Sequence, residues 1–472
     1  MVKYFLFANL FFSAIFLTNV CENYAAYTPP RATVQALHPT GLRISIPDEH
    51  GITLVAFHVK FNEDFDGLEA GHIAKDILKV RNGQWTYQDR HTQLKRDDIV
   101  YYWVHVVYQG LGYNLIDQMH RIVDFYNYDG TLHIDVTAQS SQNTCVIKSI
   151  THFLKEETSS AEQQACPHQL IFEDNFDELD SAKWNKLNQF GGQPDYEFVV
   201  YMTNNVTDTS DGKLRIKPAL LSNRFSNDFV SQGTLTLDSC TGDIDKQGCH
   251  RQAAGLYILP PVISGRINTK GKFKFLFGRV KIRAKLPRGD WIYPVIILET
   301  AENAWEMGQH REIRIASSVG NENLTTSNGE NVSGRILVAG GLSGSLSESN
   351  ADSTNRMALP RRVSNKLWSD DFHIFEIVWK QGVIVVKVDG VEYGEQTVDV
   401  SFNTWSYLTL GVAVGGNQEF QDFVTSKDYV KPWRNVEAKA MYNFYQAKNN
   451  WLRTWNQETT ALQVDYVKVW AL

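Results

Sequence analysis

The sequence predicts an all-β protein built from two sandwich-like modules, and three observations carry that expectation. Apolar and polar residues alternate along run after run of the chain, the period of half-buried strands. Helical spacing is confined to one segment, Met441 to Leu452, where Met441, Phe444, Tyr445, Lys448 and Leu452 fall on one side. The 25 Phe, 20 Tyr and 12 Trp supply rings that fill β cores and also stack on the apolar faces of sugars. At roughly 100–200 residues per domain, 472 residues allow two to four domains. No internal repeat is present, which disfavours a propeller or solenoid. With 46 basic and 53 acidic residues the net charge is −7, so neither a nucleic acid nor an anionic membrane surface is favoured as partner.

In chain order, Lys3 precedes an apolar run from Tyr4 to Val20, followed by small residues at Ala25 and Ala26. This reads as a secretory signal peptide over 1–26 and implies a secreted, extracellular protein. Asn9, Ser13 and Asn19 interrupt the run, which argues against a membrane anchor, and no later segment is apolar enough to span a bilayer.

Residues 27–120 carry the runs GLRISI, ITLVAFHVKF and IVYYWVHVVY. Leu42, Ile44 and Ile46 share one face, as do Val55, Phe57, Val59 and Phe61, the pattern of antiparallel strands in a small β-sandwich. The stretch from Gly67 to Leu78 is expected to hold a helical turn. Residues 121–168, including the polar KEETSSAEQQ, read as a linker. Residues 169–472 return to strand-like runs, including FKFLFGRVKIRAKL, WIYPVIIL, FHIFEIVW, GVIVVKVDG and LQVDYVKVW.

Signal cleavage would remove Cys21 and leave Cys145, Cys166, Cys240 and Cys249, an even set that suggests two disulfides in a secreted chain. Of the three possible connectivities, pairing of neighbours is favoured: Cys145 with Cys166 and Cys240 with Cys249. No CxxC pair or histidine cluster suggests a metal, and no cofactor is implied. Asn205, Asn323 and Asn331 head sequons compatible with glycosylation.

The most informative segment is Arg311-Glu-Ile-Arg-Ile-Ala-Ser-Ser-Val-Gly-Asn321, preceded by Gly289-Asp-Trp-Ile-Tyr-Pro294. Together with IFEDNF, SGRINTKGKFKFLFGRVKIRAKLPRGDW, VDGVEYG, VAVGGN and LQVDYVKVWAL, it resembles glycoside hydrolase family sixteen, the laminarinase-type β-glucanases, over nearly all of residues 169–472. That resemblance implies a large jelly-roll sandwich after the smaller immunoglobulin-like one. The family's catalytic strand reads E-I-D-x-x-E. On a strand the first Glu and the Asp share a face, and the last Glu regains it only through a bulge. Here the first position is Glu312, but Arg314 replaces the Asp and Ser317 the final Glu. A serine hydroxyl is too weak an acid to protonate a glycosidic oxygen, and Arg314 is placed to hold Glu312 in an ion pair. The expectation is a catalytically silent cleft with Glu312 as a remnant. Trp291 and Tyr293 match the family's W-x-W-P segment and either fill the core or line the cleft as sugar platforms; Ile297 stands where the family commonly has a further Trp.

The front module carries Gly41-Leu-Arg-Ile-Ser-Ile-Pro-Asp48, Gly51-Ile-Thr-Leu-Val-Ala-Phe-His58, Gly67-Leu-Glu-Ala-Gly71, Trp85-Thr-Tyr, Tyr102-Trp103 and Gly110-Leu-Gly-Tyr113. It resembles the glucan-binding module, carbohydrate-binding family thirty-nine, of insect β-1,3-glucan recognition proteins, also called Gram-negative bacteria-binding proteins. The resemblance implies that a shallow surface binds β-1,3-glucan through positions matching Asp76, Trp103 and Asn114, the last standing where the family has a basic residue. Trp103 lies on the strand face opposite Tyr102, Val104 and Val106. It further implies a pattern-recognition protein that binds microbial β-1,3-glucan without hydrolysing it and signals to extracellular serine proteases in innate immunity. The alternatives are a true endo-β-1,3-glucanase using Glu312, or, given Asn114, a shift toward lipopolysaccharide or peptidoglycan.

Overall fold

The computed structural model describes residues 27–96, 98–133, 145, 148–155, 161–244, 247–301, 309–345, 358–456 and 458–472. The expected signal peptide, 1–26, lies outside them. The chain divides into two compact units, 1–139 and 140–472.

Among the described residues of the first unit, nine strands form two sheets: β1 (Thr33–Leu37), β2 (Leu42–Pro47), β3 (Ile52–Phe61), β4 (Ile73–Ile77), β5 (Gln84–Gln88), β6 (Ile99–Tyr108), β7 (Leu111–Arg121), β8 (Phe125–Tyr126) and β9 (Leu132–His133). One sheet runs β5-β2-β1-β8-β9 and the other β4-β3-β6-β7. The alternation in the sequence builds the core between them. Leu42, Ile44 and Ile46 enter it from the first sheet; Val55, Phe57, Val59, Val100, Tyr102, Val104 and Val106 enter from the second. Trp85 closes one side, its indole N–H donating to Asp48 Oδ1 at 2.7 Å.

The helical turn expected between Gly67 and Leu78 is instead the edge strand β4, paired antiparallel to β3 from Val55↔Ile77 to His58↔Ala74. Ala74, Lys75 and Asp76 are exposed, and a short edge strand with charged side chains is a common way of discouraging further pairing. The pairing row offered by β3 outweighs a local preference in so polar a segment.

The second unit is a jelly-roll sandwich. Its strands include β10 (His152–Lys155), β11 (Gln163–Gln164), β12 (Gly278–Lys285), β13 (Ile292–Thr300), β14 (Gln309–Ser317), β15 (Ile336–Ser345), β16 (His373–Lys380), β17 (Ser406–Val414) and β18 (Leu462–Trp470). Among the described residues, a ten-stranded sheet holds β17, β13, β14 and β15 side by side, and an eight-stranded sheet holds β18, β12 and β16. Ile296, Leu298, Leu408 and Leu410 from the first sheet meet Val280, Ile282, Ile377 and Val467 from the second in one core. The segment with helical spacing forms Ala440–Gln446 and Lys448–Trp451, whose Phe444 and Trp451 are buried in that core.

The stretch expected to be linker contributes strands to both units. β8 and β9 extend the first sandwich, and β10 pairs with Phe273–Leu276 in the second. Phe153 is buried there, and Ser149 Oγ donates to the Leu472 carbonyl at 2.8 Å. Its polar composition hid these strands because each is only two to four residues long, and so short a strand is held by backbone pairing with few apolar residues.

Candidate functional site

The expected contact residues of the first unit lie on the face of the β4-β3-β6-β7 sheet that points away from the core. Pairing places Asp76 opposite Ala56, Ala56 opposite His105, and His105 opposite Asn114. Since paired residues share a face, these four make one row across the sheet, roughly 14 Å at ~4.8 Å per strand. Asp76 and Asn114 are exposed at its two ends, and His105 Nδ1 shares a 2.6 Å hydrogen bond with Asn114 Oδ1. In the next row Trp103 stands opposite His58.

Trp103 is only 7% exposed although it faces outward. His58 stacks on its ring, with centroids 3.7 Å apart and planes within 2°, and the indole N–H donates to the Glu69 carbonyl at 3.0 Å. His58 Nδ1 in turn meets the Ala70 carbonyl at 3.1 Å. The Glu69–Ala70 segment thus covers part of the surface through which the resemblance implies that Trp103 meets glucan, and Trp103 serves first as a buttress. Burial pushes the His58 imidazole below its ordinary pKa, against the opposing pull of the Ala70 carbonyl and Asp76, which favours a neutral ring. Lys60, farther along β3, is held by Glu63 and Glu69, so its charge is spent within the protein. His58 and His105 went unnoticed in the sequence; their only signal was the even spacing that puts them on the faces of Lys60 and Trp103.

In the second unit alternate residues of β13, namely Tyr293, Val295, Ile297 and Glu299, line a cavity of about 260 Å³ together with Glu312, Arg314 and Ser317 of β14. Register aligns Glu299 with Glu312 and Ile297 with Arg314. Between Arg314 and Ser317 the pairing with β15 shifts, from Arg314↔Gly340 to Ser317↔Val338, which is the bulge that the spacing of the motif requires. Ser317 therefore returns to the cavity, its Oγ 3.4 Å from Arg314 Nη1.

Arg314 dominates this group. Its Nε donates to Glu312 Oε1 at 2.6 Å and its Nη1 to Glu419 Oε2 at 3.0 Å, all three side chains being buried. Burial works to lower the guanidinium pKa, but the charges of Glu419 and Glu312 outweigh it and hold the group protonated well above its ordinary value. A second cluster faces it. Arg266 Nη2 donates to Glu197 Oε1 at 2.7 Å, Tyr407 to Glu299 Oε2 at 2.6 Å, and Tyr293 to Asp195 Oδ2. Burial and the nearby carboxylates raise the Tyr293 hydroxyl far above its usual range, so it stays a donor.

Trp291 is corrected: it is fully buried in the core, edge-on to Phe420, Tyr429 and Trp433 at 5.1–5.9 Å, and offers no sugar platform. It precedes β13 with φ +67°, which turns its ring into the core ahead of the cavity-lining alternation. Tyr293 lines the cavity but is 5% exposed, its hydroxyl committed to Asp195.

Glu419, Asp195, Glu197, Arg266 and Glu299 were missed by sequence reasoning. For Glu419 the VAVGGN run ending at Asn417 was the available signal. Its Gly416, at φ +93°, would place a Cβ 2.5 Å from Asp195 Oδ2, so glycine there permits the close approach of Asp195.

Both disulfides are present, Cys145–Cys166 and Cys240–Cys249. Asn205, Asn323 and Asn331 are exposed. Among the described residues no cluster of His, Cys, Asp and Glu could hold a metal ion, and no helix is long and apolar enough to cross a membrane.

Residues 28–143 match a family described as a carbohydrate binding domain (family 32), and residues 223–407 match glycosyl hydrolases family 16. A β-1,3-glucan-binding protein 1 of Galleria mellonella is 34% identical, covering 95% of this chain and 96% of its own. A β-1,3-glucan-binding protein of Tenebrio molitor is 35% identical over 96% and 98%, and Gram-negative bacteria-binding protein 1 of Drosophila melanogaster 31% over 94% and 96%. A solved endo-β-1,3-glucanase from Pyrococcus furiosus aligns with 64% of this chain and 94% of its own, at 21% identity and a TM-score of 0.38. Two family matches in this order, and relatives alike along nearly the whole length, place the chain in the family of β-1,3-glucan-binding and Gram-negative bacteria-binding proteins.

Proposed function

We propose that this is a secreted recognition protein that binds microbial β-1,3-glucan on the outer face of the β4-β3-β6-β7 sheet and does not hydrolyse it. The Asp76–Ala56–His105–Asn114 row supports the binding half: a flat strip with an exposed carboxylate acceptor at one end and an exposed amide at the other suits the hydroxyls along a polysaccharide. The observation that carries the non-catalytic half is the buried Glu312–Arg314–Glu419 network. A retaining glycosidase needs one free carboxylate as nucleophile and one carboxylic acid roughly 5–5.5 Å away. Here the guanidinium occupies Glu312, and Ser317 stands where the acid would be.

Secretion is supported by the apolar N-terminal run and the two disulfides. Signalling to extracellular serine proteases follows from the family resemblance. The second reading, a preference for bacterial lipopolysaccharide or peptidoglycan, is favoured by the name of the Drosophila relative and by Asn114 in place of a basic residue. Co-sedimentation of the full chain with curdlan, competed by soluble laminarin, lipopolysaccharide or peptidoglycan, tests both. Binding displaced by laminarin alone supports the glucan reading; displacement only by a bacterial polymer replaces it.

A further inference from the structure

We infer that the second unit holds a carbohydrate site of its own, a blind pocket that takes the end of a β-glucan chain, because the Arg314–Glu419 ion pair stands across the cleft and bars an internal stretch. The inference shares with the reading above only the ligand class.

Two cavities meet at this ion pair. The larger, about 260 Å³, is polar and is faced by Asp195, Glu197, Glu299 and Glu312. The smaller, about 120 Å³, has an apolar lining of Val319, Val332, Ile336 and Val338. Arg314, Ser317 and Gln418 line both, and Arg314 Nη1 holds Glu419 Oε2 at 3.0 Å. These side chains are therefore the partition. A glucan running through the cleft would have to part a buried ion pair and leave Glu419 and Glu312 without their shared cation, which is strongly unfavourable.

The larger cavity nevertheless has the chemistry of a sugar site. Carboxylates accept from hydroxyls, and the side-chain amides of Gln189, Gln193 and Asn268 in the same lining both donate and accept. Its volume lies just below the range of roughly 300–1,000 Å³ typical of ligand pockets, enough for about one or two sugar rings and no more. A terminal unit can enter such a pocket; a continuous chain cannot pass.

Hydrogen–deuterium exchange of the full chain tests this with two probes, linear laminaritetraose and a cyclic β-1,3-linked glucan that has no ends. The linear probe should slow exchange over 193–198 and 416–421, and the cyclic one should need a concentration roughly tenfold higher or more for the same effect. Arg314→Ala combined with Glu419→Gln should narrow that gap by opening the partition. Equal protection of these segments by the cyclic glucan, or none by saturating laminaritetraose, overturns the inference. If the double variant does not fold, the comparison of probes on the wild type decides alone. Exchange over 56–60 and 101–105, read in the same samples, reports the first unit, so its failure to bind is distinguished from failure of the pocket.

Discussion

At Glu312 the guanidinium of Arg314 lies 2.6 Å from the carboxylate, and the same group holds Glu419 from its other edge. Two buried carboxylates around one cation are stable only while the cation stays. Arg314→Met should therefore cost about 3–5 kcal/mol in urea unfolding, the loss expected when one partner of a buried pair is removed. Adding Glu312→Gln and Glu419→Gln should restore most of it. A single variant as stable as wild type would mean that the network contributes nothing. On the first unit, Asp76 is exposed on an edge strand, so Asp76→Ala should weaken curdlan co-sedimentation without moving the melting temperature. Asn114→Lys should strengthen it, since the family has a basic residue there; unchanged binding in both would remove the row from the site. Trp103 behaves differently because it is buried against His58. Trp103→Ala should cost about 3–5 kcal/mol of stability, the range for a buried aromatic, so its effect on binding must be read well below the unfolding temperature.

Among the elements, the loop following β17 carries Glu419 to the cleft and is itself pinned by one buried lysine. Lys431 Nζ donates to the Phe420 carbonyl and to Asp422 Oδ1, both at 2.8 Å, and lies 4.7 Å from the Trp433 ring centre. Burial lowers its pKa to about 8, against the opposing pull of Asp422. Between there and the unfolded value of about 10.4, the unfolded chain holds a proton that the native one has lost. Stability contributed by this residue thus rises as pH climbs from about 8 toward 10, before tyrosines with raised pKa begin to act in the opposite sense. The stability gap between wild type and Lys431→Met should shift in favour of the wild type over that interval, measured by urea melts at pH 7.5 and 9.5; a constant gap would contradict the assignment. Regular alternation made most strands legible: Leu42, Ile44, Ile46 and Val55, Phe57, Val59 took the faces their spacing implied. β4 and β10 were not legible because both are short: β4 is an edge strand with exposed side chains, and β10, paired on both sides, buries only Phe153 of its four residues. The cleft was legible at Glu312, Arg314 and Ser317, which share one strand. Glu419, Asp195 and Arg266 were not, since they reach the cavity from segments 48 to 119 residues away from Arg314 and only the fold brings them together. Trp291 failed as a platform because the sequence does not show which way a residue just before a strand turns.

Across the whole molecule, two β-sandwich units divide the work that the family resemblance suggests: one outward face with a polar row, and one hydrolase-like fold whose Glu312 and Glu419 are tied to Arg314 and whose Glu197 is tied to Arg266. The local pairing of Cys145 with Cys166 and Cys240 with Cys249 fixes two polar segments of the second unit, and non-reducing peptide mapping of the purified protein should recover these two linked peptides and no cross-link between Cys166 and Cys240. The central claim, recognition without hydrolysis, is tested most directly by one measurement: reducing ends released from soluble laminarin by purified wild-type protein, with the Glu312→Gln variant beside it. The wild type should release no more than the buffer control while still co-sedimenting with curdlan. Reproducible release by the wild type that disappears in Glu312→Gln would contradict the account and make the protein a β-1,3-glucanase.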